Sequence, residues 1–252
     1  LRWFHRSERK GKGLYGEGAH SLSVADVDGD GCDEIIYGAA VLDHDGTVLH
    51  RTGLEHGDAL HVSDLMPDRP GLEIFMIHEE AGGADVRDAR TGEILFREDD
   101  DKDTGRGVAA DIDPRYRGFE FWSLASSNIY STDGFKVMAR GRIPVNFRIY
   151  WDGDLCDELL DGTRISKWIP EKNRCETYVD FRELQPVSSC NGSKKTPSIS
   201  ADILGDWREE VILWDRTTAS DLVLFTTTAP TPYRIPTLMH DPVYRMSIVW
   251  QN

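Results

Sequence analysis

The sequence predicts an all-β protein, and more narrowly a β-propeller, from three observations. Short runs rich in Val, Ile, Leu, Phe, Trp and Thr alternate with Gly, Asp and Pro, and no long amphipathic helix interrupts them. An acidic loop recurs five times along the chain, with its first acidic residue spaced by 38, 47, 41 and 50 residues: Asp26, Asp64, Asp111, Asp152 and Asp202. A period of ~40–50 residues with several strands in each unit is typical of propeller blades.

Each unit reads as a strand, the acidic loop, a second strand and then a hairpin. Five to six such blades fit into 252 residues, so we predict a single propeller domain over residues 1–252. The run from Met246 to Trp250 predicts one more strand close to the end of the chain. We therefore expect the propeller to be truncated at both ends. A sandwich of repeated hairpins is the alternative, and acidic loops in register make it the weaker one.

The first acidic loop carries the strongest metal-binding pattern. Its oxygen side chains occupy positions 1, 3, 5 and 9 and belong to Asp26, Asp28, Asp30 and Glu34. Hard oxygen ligands suit Ca²⁺, which takes six to eight of them. An EF-hand would place its Glu later and continue into a helix, whereas here the Glu leads straight into the strand-like run Ile35 to Tyr37. The pattern predicts a calcium loop that feeds a β-sheet.

The four later loops repeat this pattern more weakly. Structural turns without a metal explain them equally well, and any Ca²⁺ bound there would mainly fix loops between strands. The candidate ligands in these loops are Asp64, Glu73, Asp111, Asp113, Glu120, Asp152, Asp154, Glu158, Asp202, Asp206 and Glu210.

The net charge and the hydropathy pattern exclude two classes of partner. The formal charge is −15, with 44 acidic and 29 basic residues, which argues against nucleic acid. No apolar run approaches the roughly 18–20 residues needed to span a membrane. Bound cations would offset part of the negative charge.

Two histidines occupy similar positions in neighbouring units. His20 precedes the first loop, and His56 precedes the second unit together with Asp58. In an extended segment His56 and Asp58 point to the same side. We expect these side chains to meet near the propeller axis, where they could hold a metal or a substrate. A pair of hydrogen-bonded structural histidines is the alternative.

Basic residues stand in polar loops just before predicted strands. Arg106 precedes the third unit, and Lys194 precedes the fifth unit in a loop rich in Gly, Ser and Pro. Such loops commonly carry function, although an ordinary solvated charge is the alternative. The segment Leu238 to Arg245 is dense in polar and aromatic groups, so it could line a carbohydrate cleft or begin another blade.

Several stretches together resemble the rhamnogalacturonan lyases of polysaccharide lyase family 11. They are Val24-Ala-Asp-Val-Asp-Gly-Asp-Gly31, His56-Gly-Asp-Ala-Leu-His61, Gly105-Arg-Gly-Val-Ala-Ala-Asp-Ile-Asp-Pro114, Tyr150-Trp-Asp-Gly-Asp154, Gly205-Asp-Trp-Arg-Glu-Glu210 and Leu238-Met-His-Asp-Pro-Val-Tyr-Arg245. The resemblance implies an eight-bladed β-propeller with several Ca²⁺ ions. It also implies β-elimination at the bond between rhamnose and galacturonic acid in rhamnogalacturonan I. We accordingly expect a secreted and monomeric calcium-dependent lyase.

β-Elimination on a uronate needs a neutralised carboxylate, a base for the C5 proton and help for the O4 leaving group. Ca²⁺ can neutralise the carboxylate as a Lewis acid. Arg106 would grip the carboxylate through its planar fork, and nearby cations would favour the neutral form of a lysine base. Chemistry alone leaves Lys194 and Lys195 equivalent, and the resemblance favours Lys194. It also implies substrate contacts from His20, His56, Tyr244 and Arg245, and a metal role for Asp58.

A second function from a different class remains open at this level. A non-catalytic calcium propeller that binds glycans or proteins would keep every acidic loop. It would not require Arg106 and Lys194 to meet in a cleft. The position of these two side chains therefore discriminates between the two functions.

Overall fold

The computed structural model describes residues 1–7, 9–10 and 12–249, and these residues build five antiparallel sheets of four strands each. The strands are β1 (Ser23–Ala25), β2 (Glu34–Ile36), β3 (Ala40–Leu42), β4 (Val48–Arg51), β5 (Leu60–Ser63), β6 (Glu73–Ile77), β7 (Ala84–Asp88), β8 (Ile94–Glu98), β9 (Gly107–Ala110), β10 (Glu120–Ser123), β11 (Asn128–Ser131), β12 (Lys136–Arg140), β13 (Phe147–Ile149), β14 (Glu158–Asp161), β15 (Arg164–Ile169), β16 (Arg174–Asp180), β17 (Val187–Ser188), β18 (Ile199–Ala201), β19 (Glu210–Asp215) and β20 (Leu222–Phe225). The prediction of an all-β protein is confirmed.

The first four sheets follow chain order, so each is a meander of four consecutive strands. In the fifth sheet β19 pairs with β17, β18 and β20. In all five sheets the acidic loop joins the same two elements, since it leads into β2, β6, β10, β14 or β19. The predicted order within a unit is therefore confirmed.

Four apolar clusters join each sheet to the next one along the chain. Alternation of apolar residues along each strand leaves one set on each face, and both faces of the inner sheets are covered. Burying each large apolar side chain contributes about 1.5–3 kcal/mol. Each cluster holds residues of two consecutive sheets. In chain order these include the pairs Ile36 and Met76, Phe75 and Phe121, Trp122 and Trp168, and Leu160 and Leu213.

A buried glutamate ties each acidic loop to the strand that follows it. In the first loop Glu34 Oε2 accepts a hydrogen bond from Val27 N at 2.8 Å. In the fourth loop Glu158 Oε2 accepts from Trp151 N at 2.9 Å and Asp152 N at 3.0 Å. Equivalent bonds are accepted by Glu73, Glu120 and Glu210. Since a backbone N–H without a partner is costly to bury, these glutamates fix the loops.

The same hydrogen bonds correct the predicted register of the fourth loop. Because Trp151 occupies the position of Val27, Tyr150 and not Asp152 is the counterpart of Asp26. Asp152 instead corresponds to Asp28, and both accept a bond from the backbone two residues later. The sequence prediction aligned Asp152 with Asp26 because each is the first acidic residue of its loop. The fourth loop has no acidic residue at the position of Asp26.

The predicted strand from Met246 to Trp250 is wrong over its four described residues, because Met246 and Ser247 end the helix α1 (Pro242–Ser247) and the next two residues form a turn. Asp241 caps this helix by accepting a hydrogen bond from Val243 N at 2.9 Å, and Pro242 occupies the first turn. Asp followed by Pro is a typical helix start, and it overrides the apolar run. Trp250 lies outside the described residues. Within the described part of the chain, no helix is long and apolar enough to cross a membrane.

His61 on β5 gives this fold a predictable response to acid. Burial, aided by the positive charge of Arg148, lowers the pKa of His61 to about 4. A histidine whose folded pKa is lowered is neutral in both states above its unfolded pKa of about 6.5, and it destabilises the fold as the pH falls from there towards 4, because the unfolded chain takes up the proton first. We expect His61→Gln to remove about 3 kcal/mol of the stability difference between pH 7 and pH 4. Urea unfolding at both pH values measures this difference. An equal loss of unfolding free energy between pH 7 and pH 4 in the unaltered protein and in His61→Gln would contradict the prediction.

Candidate active site

Asp58 lies at the centre of a cluster of charged and titratable side chains. Its Oδ2 accepts a hydrogen bond from Arg106 Nη1 at 2.8 Å, and its Oδ1 accepts one from Lys194 Nζ at 3.0 Å. His20 Nε2 lies 3.2 Å from the same Oδ1. The Asp58, Arg106 and Lys194 side chains are only 10–12% exposed, so their charges are largely shielded from water. The two basic residues predicted from the sequence therefore meet on one carboxylate.

Backbone contacts bring His20, His56 and Asp58 together from two neighbouring sheets. His20 N donates to Gly57 O at 3.1 Å, which joins the segment before β1 to the segment before β5. A side chain on Gly57 would place its Cβ 1.7 Å from Ile77 O, so only glycine fits between His56 and Asp58. The rings of His20 and His56 lie 5.0 Å apart, as the sequence predicted.

Arg106 is positioned by the segment that leads into β9. Its amide N donates to Thr104 O at 2.7 Å, and Leu124 N donates to its carbonyl at 3.0 Å. Its Nη1 also donates to Gly105 O at 2.5 Å. Gly105 has a φ of +63°, a conformation that favours glycine, and this turn aims the guanidinium at Asp58.

The two neighbouring lysines have different partners. Lys194 Nζ reaches Asp58, although 136 residues separate them in the chain. Lys195 Nζ lies 3.0 Å from Asp161 Oδ1, and the Lys195 side chain is 46% exposed. Both Asn191 and Lys195 have positive φ, and Lys195 N donates to Asn191 O at 2.7 Å. This tight loop sends the two ammonium groups to different places, which the sequence alone could not decide.

Glu79 completes the cluster and was not predicted. Its Oε1 lies 3.8 Å from His20 Nε2, and its Oε2 lies 3.8 Å from His56 Nε2. Its amide N donates to His56 O at 2.9 Å. Because β5 and β6 are antiparallel, residues just after β6 lie beside residues just before β5, and that topology was the available signal.

The two histidines and Glu79 could hold a divalent cation. Each offers one ligand atom, and these three atoms lie within 4.8 Å of one another. Histidine nitrogen and carboxylate oxygen are both common metal ligands. With neutral histidines, the formal charges of Asp58, Glu79, Arg106 and Lys194 cancel. A bound divalent cation would therefore give this site a net positive charge, which suits an anionic ligand.

The first acidic loop brings three of its predicted calcium ligands together. Asp26, Asp28 and Glu34 each offer an oxygen within 4.8 Å of the others. Glu34 is fully buried, and its Oε1 has no hydrogen-bond partner among the described residues. Burial raises the pKa of Glu34, and a cation would relieve the cost of burying this carboxylate. Asp30 lies at the loop edge, where its Oδ2 is 3.4 Å from His44 Nδ1.

The second and third loops also keep an oxygen without a described hydrogen-bond partner. Glu73 Oε1 and Glu120 Oε1 are buried in this state. Burial raises the pKa of Glu73 to about 7, with a further contribution from Asp64. Burial raises the pKa of Glu120 to about 9 and that of Asp111 to about 6. Arg69 Nε lies 3.7 Å from Glu73 Oε1 and partly offsets this effect in the second loop, whereas the described contacts give Glu120 no ion pair.

Other predicted ligands are engaged by protein groups. These contacts join Asp113 to Arg115 and Trp168, Asp202 to Thr237 and Leu238 N, Asp206 to Arg208, Glu210 to Thr226, and Asp152, Asp154 and Glu158 to Lys167. An oxygen that already accepts a hydrogen bond from a cationic side chain is a poorer candidate for a metal.

Tyr244 and Arg245 lie on the short helix α1 and, within the described contacts, neither touches Asp58. Tyr244 Oη donates to Glu209 Oε1 at 2.8 Å and accepts from Asp202 N at 2.8 Å. Arg245 Nη1 donates to Met239 O at 2.7 Å. Tyr244 lines a cavity of about 540 Å³, which is also lined by residues from β5, β9, β13 and β18. The first strands of the second, third and fourth sheets, together with β18, thus face one space.

Comparison with known proteins assigns this architecture to a family. The model of the C-terminal domain of rhamnogalacturonan lyase family 11 matches residues 1–252. The chain is 49% identical to the rhamnogalacturonan endolyase YesW of Bacillus subtilis, a match that covers 99% of this chain and 40% of YesW. It is 48% identical to the exolyase YesX of the same organism, with 100% and 44% covered. The chain thus spans about two fifths of the length of these curated relatives.

Solved structures agree with the sequence comparison. The crystal structure of YesW matches with a TM-score of 0.91 and 47% identity, over 99% of this chain and 42% of that one. A rhamnogalacturonan lyase from Bacillus licheniformis matches with a TM-score of 0.91 and 49% identity, over the same shares. With a family model that covers every residue and two relatives near 50% identity, the chain belongs to rhamnogalacturonan lyase family 11.

Proposed function

We propose that this chain carries the basic catalytic residues of a calcium-dependent rhamnogalacturonan lyase that acts by β-elimination. The observation that carries the proposal is the convergence of Lys194 and Arg106 on Asp58 from loops 88 residues apart in the sequence. A non-catalytic calcium propeller would not need this pair. The names of YesW and YesX, an endolyase and an exolyase, support the same reaction class.

We further propose that the five sheets are consecutive blades of one propeller domain. The packing of each sheet on the next, and the cavity shared by β5, β9, β13 and β18, support a radial arrangement. The Asp58 cluster lies on the segments that lead into β1, β5, β9 and β18, apart from Glu79, which follows β6. Such an arrangement places several independent loops around one substrate.

The substrate on this proposal is rhamnogalacturonan I, and its uronate carboxylate must be neutralised. A divalent cation, which His20, His56 and Glu79 would hold, supplies Lewis-acid neutralisation when it is bound. Both described side-chain hydrogen bonds of Arg106 come from Nη1. Nη2 is therefore left to orient the carboxylate through a charge-assisted contact, whereas Nε is buried and has no described hydrogen-bond partner.

Lys194, in its neutral form, is the residue that would take the C5 proton, because an ammonium has no lone pair to accept one. Its side chain is 12% exposed, and Asp58 fixes its Nζ at 3.0 Å. General base catalysis requires the base to be held within hydrogen-bond reach of the proton. His20 is 45% exposed, so it remains accessible to the sugar on the open side of the cluster. Asp58 acts as the positioning residue for both cations.

The test is a lyase assay on a protein of full family length that carries this sequence. Rhamnogalacturonan I is added with Ca²⁺, and the ultraviolet absorbance of the new unsaturated uronate is followed. We expect the absorbance to rise with Ca²⁺, to stop with EDTA, and to resume when Ca²⁺ is restored. No absorbance change with Ca²⁺ present would sink the lyase, and an unchanged rate in EDTA would sink the calcium dependence.

A further inference from the structure

The fourth acidic loop has the backbone of the first one but a different set of charges. Asp152 corresponds to Asp28, and Asp154 corresponds to Asp30, because each accepts the same backbone hydrogen bond within its loop. Gly29 and Gly153, which follow the first members of these pairs, have similar φ values of +81° and +88°. The two loops are therefore two versions of one scaffold.

An internal cation occupies the fourth loop. Lys167 Nζ lies 2.6 Å from Asp154 Oδ2 and 3.0 Å from Glu158 Oε1, and it also contacts Asp152 Oδ2. These three carboxylates are the group whose oxygens lie close enough together to hold a metal. An ammonium has three N–H donors, so the three carboxylates satisfy it completely. The place that Ca²⁺ would take is filled by Nζ.

The sheet register explains how Lys167 reaches this place. Leu159 pairs with Ser166, so one step further along the antiparallel ladder Glu158 faces Lys167. In the first sheet Ile35 pairs with Leu42, so Glu34 faces Asp43 at the same position. Directly opposed residues on one face of a sheet are close enough to interact. The fourth sheet therefore has the basic residue Lys167 at the position where the first sheet has the acidic residue Asp43.

The first position of the fourth loop also lacks the negative charge that the first loop has there. Tyr150 stands in the fourth loop where Asp26 stands in the first one. The first loop thus combines the carboxylates of Asp26, Asp28, Asp30, Glu34 and Asp43 with the imidazole of His44, whereas the fourth combines three carboxylates with one ammonium. A site for Ca²⁺ normally gathers six to eight oxygens, and the fourth loop offers too few once Lys167 is in place.

We infer that Lys167 is a built-in cation that closes the fourth acidic loop in place of Ca²⁺. This loop then folds without metal, and the calcium content of the chain is smaller than the number of its acidic loops. The residues of the fourth loop do not fit the Ca²⁺ for which the sequence pattern made them candidate ligands. The inference goes beyond the proposed function, because it concerns metal content and stability and does not depend on turnover.

A matched pair of substitutions tests this inference on the whole chain. Asp28→Asn alters the first loop, and Asp152→Asn alters the corresponding residue of the fourth. Each protein is stripped with EDTA, dialysed against calcium chloride and analysed for bound Ca²⁺. We expect Asp152→Asn to bind as many ions per chain as the unaltered protein. Loss of one ion in Asp152→Asn would overturn the inference. Asp28→Asn reports separately on the proposed calcium site of the first loop.

Lys167→Met gives a second and independent readout. Without the ammonium, three carboxylates face one another, so the melting temperature in EDTA should fall. Added Ca²⁺ should raise it again by more than it raises that of the unaltered protein. Equal melting temperatures in EDTA would show that Lys167 does not neutralise the loop, and would overturn the inference.

Discussion

Replacing Lys194 by alanine is expected to reduce the kcat of a full-length lyase carrying this sequence on rhamnogalacturonan I by ~10²–10⁴-fold, the usual contribution of a general base. The fold should be preserved, because Asp58 keeps its bond to Arg106 at 2.8 Å when the lysine is removed. Steady-state rates of uronate unsaturation and a thermal melt in Ca²⁺ measure both effects.

Lys195→Ala is the matched control for this experiment. The residue type and the loop are the same, but Lys195 pairs with Asp161 and its side chain is 46% exposed. We expect Lys195→Ala to keep the rate of the unaltered enzyme. Equal losses in the two variants would show that the loop, and not the Lys194 ammonium, is needed. A large fall in melting temperature for Lys194→Ala alone would assign that residue a structural role.

Replacing Asp58 by alanine should be the most destabilising change at the site. It leaves the charges of Arg106 and Lys194 facing each other with 11% and 12% of their side chains exposed. Removing one partner of a buried ion pair costs about 3–5 kcal/mol. For a chain of this size that loss lowers the melting temperature by about 10 °C. Urea unfolding and thermal melts of the two proteins provide the measurement.

Asp68→Ala separates this effect from the loss of any ion pair. Asp68 accepts from Arg117 at the same 2.8 Å, but 79% and 65% of the two side chains are exposed. An exposed pair contributes about 0–1 kcal/mol, so this control should melt close to the unaltered protein. If Asp58→Ala were as stable as Asp68→Ala, burial of the cluster would not determine its energetics.

Local patterns in the sequence predicted most of the fold. Short runs rich in Val, Ile, Leu, Phe, Trp and Thr, bounded by Gly, Asp and Pro, predicted the strands, and the recurrence of the acidic loop predicted the five units. The terminal helix was missed because an apolar run such as Met246 to Val249 suits either a strand or a helix. Its capping pair, Asp241 and Pro242, carried the information that decides between them.

The candidate site was predicted in part. His20, His56, Arg106 and Lys194 were each identified from their place just before a strand, and the structure brings all four to one region around Asp58 and Glu79. The sequence could not show that Asp58 pairs with both cations, since those contacts span 48 and 136 residues. Tyr244 and Arg245 were grouped with this site, but their described contacts are with other residues.

The sequence by itself determined the repeated unit, its strand order and the family, because these depend on local spacing and on residues close together in the chain. Only the tertiary structure decided which charges meet. It selected Lys194 over Lys195, added Glu79 to the histidine pair and placed Lys167 opposite Glu158. The physical reason is that electrostatic partners are chosen by distance in space, and the register of antiparallel strands and the turns before them set that distance.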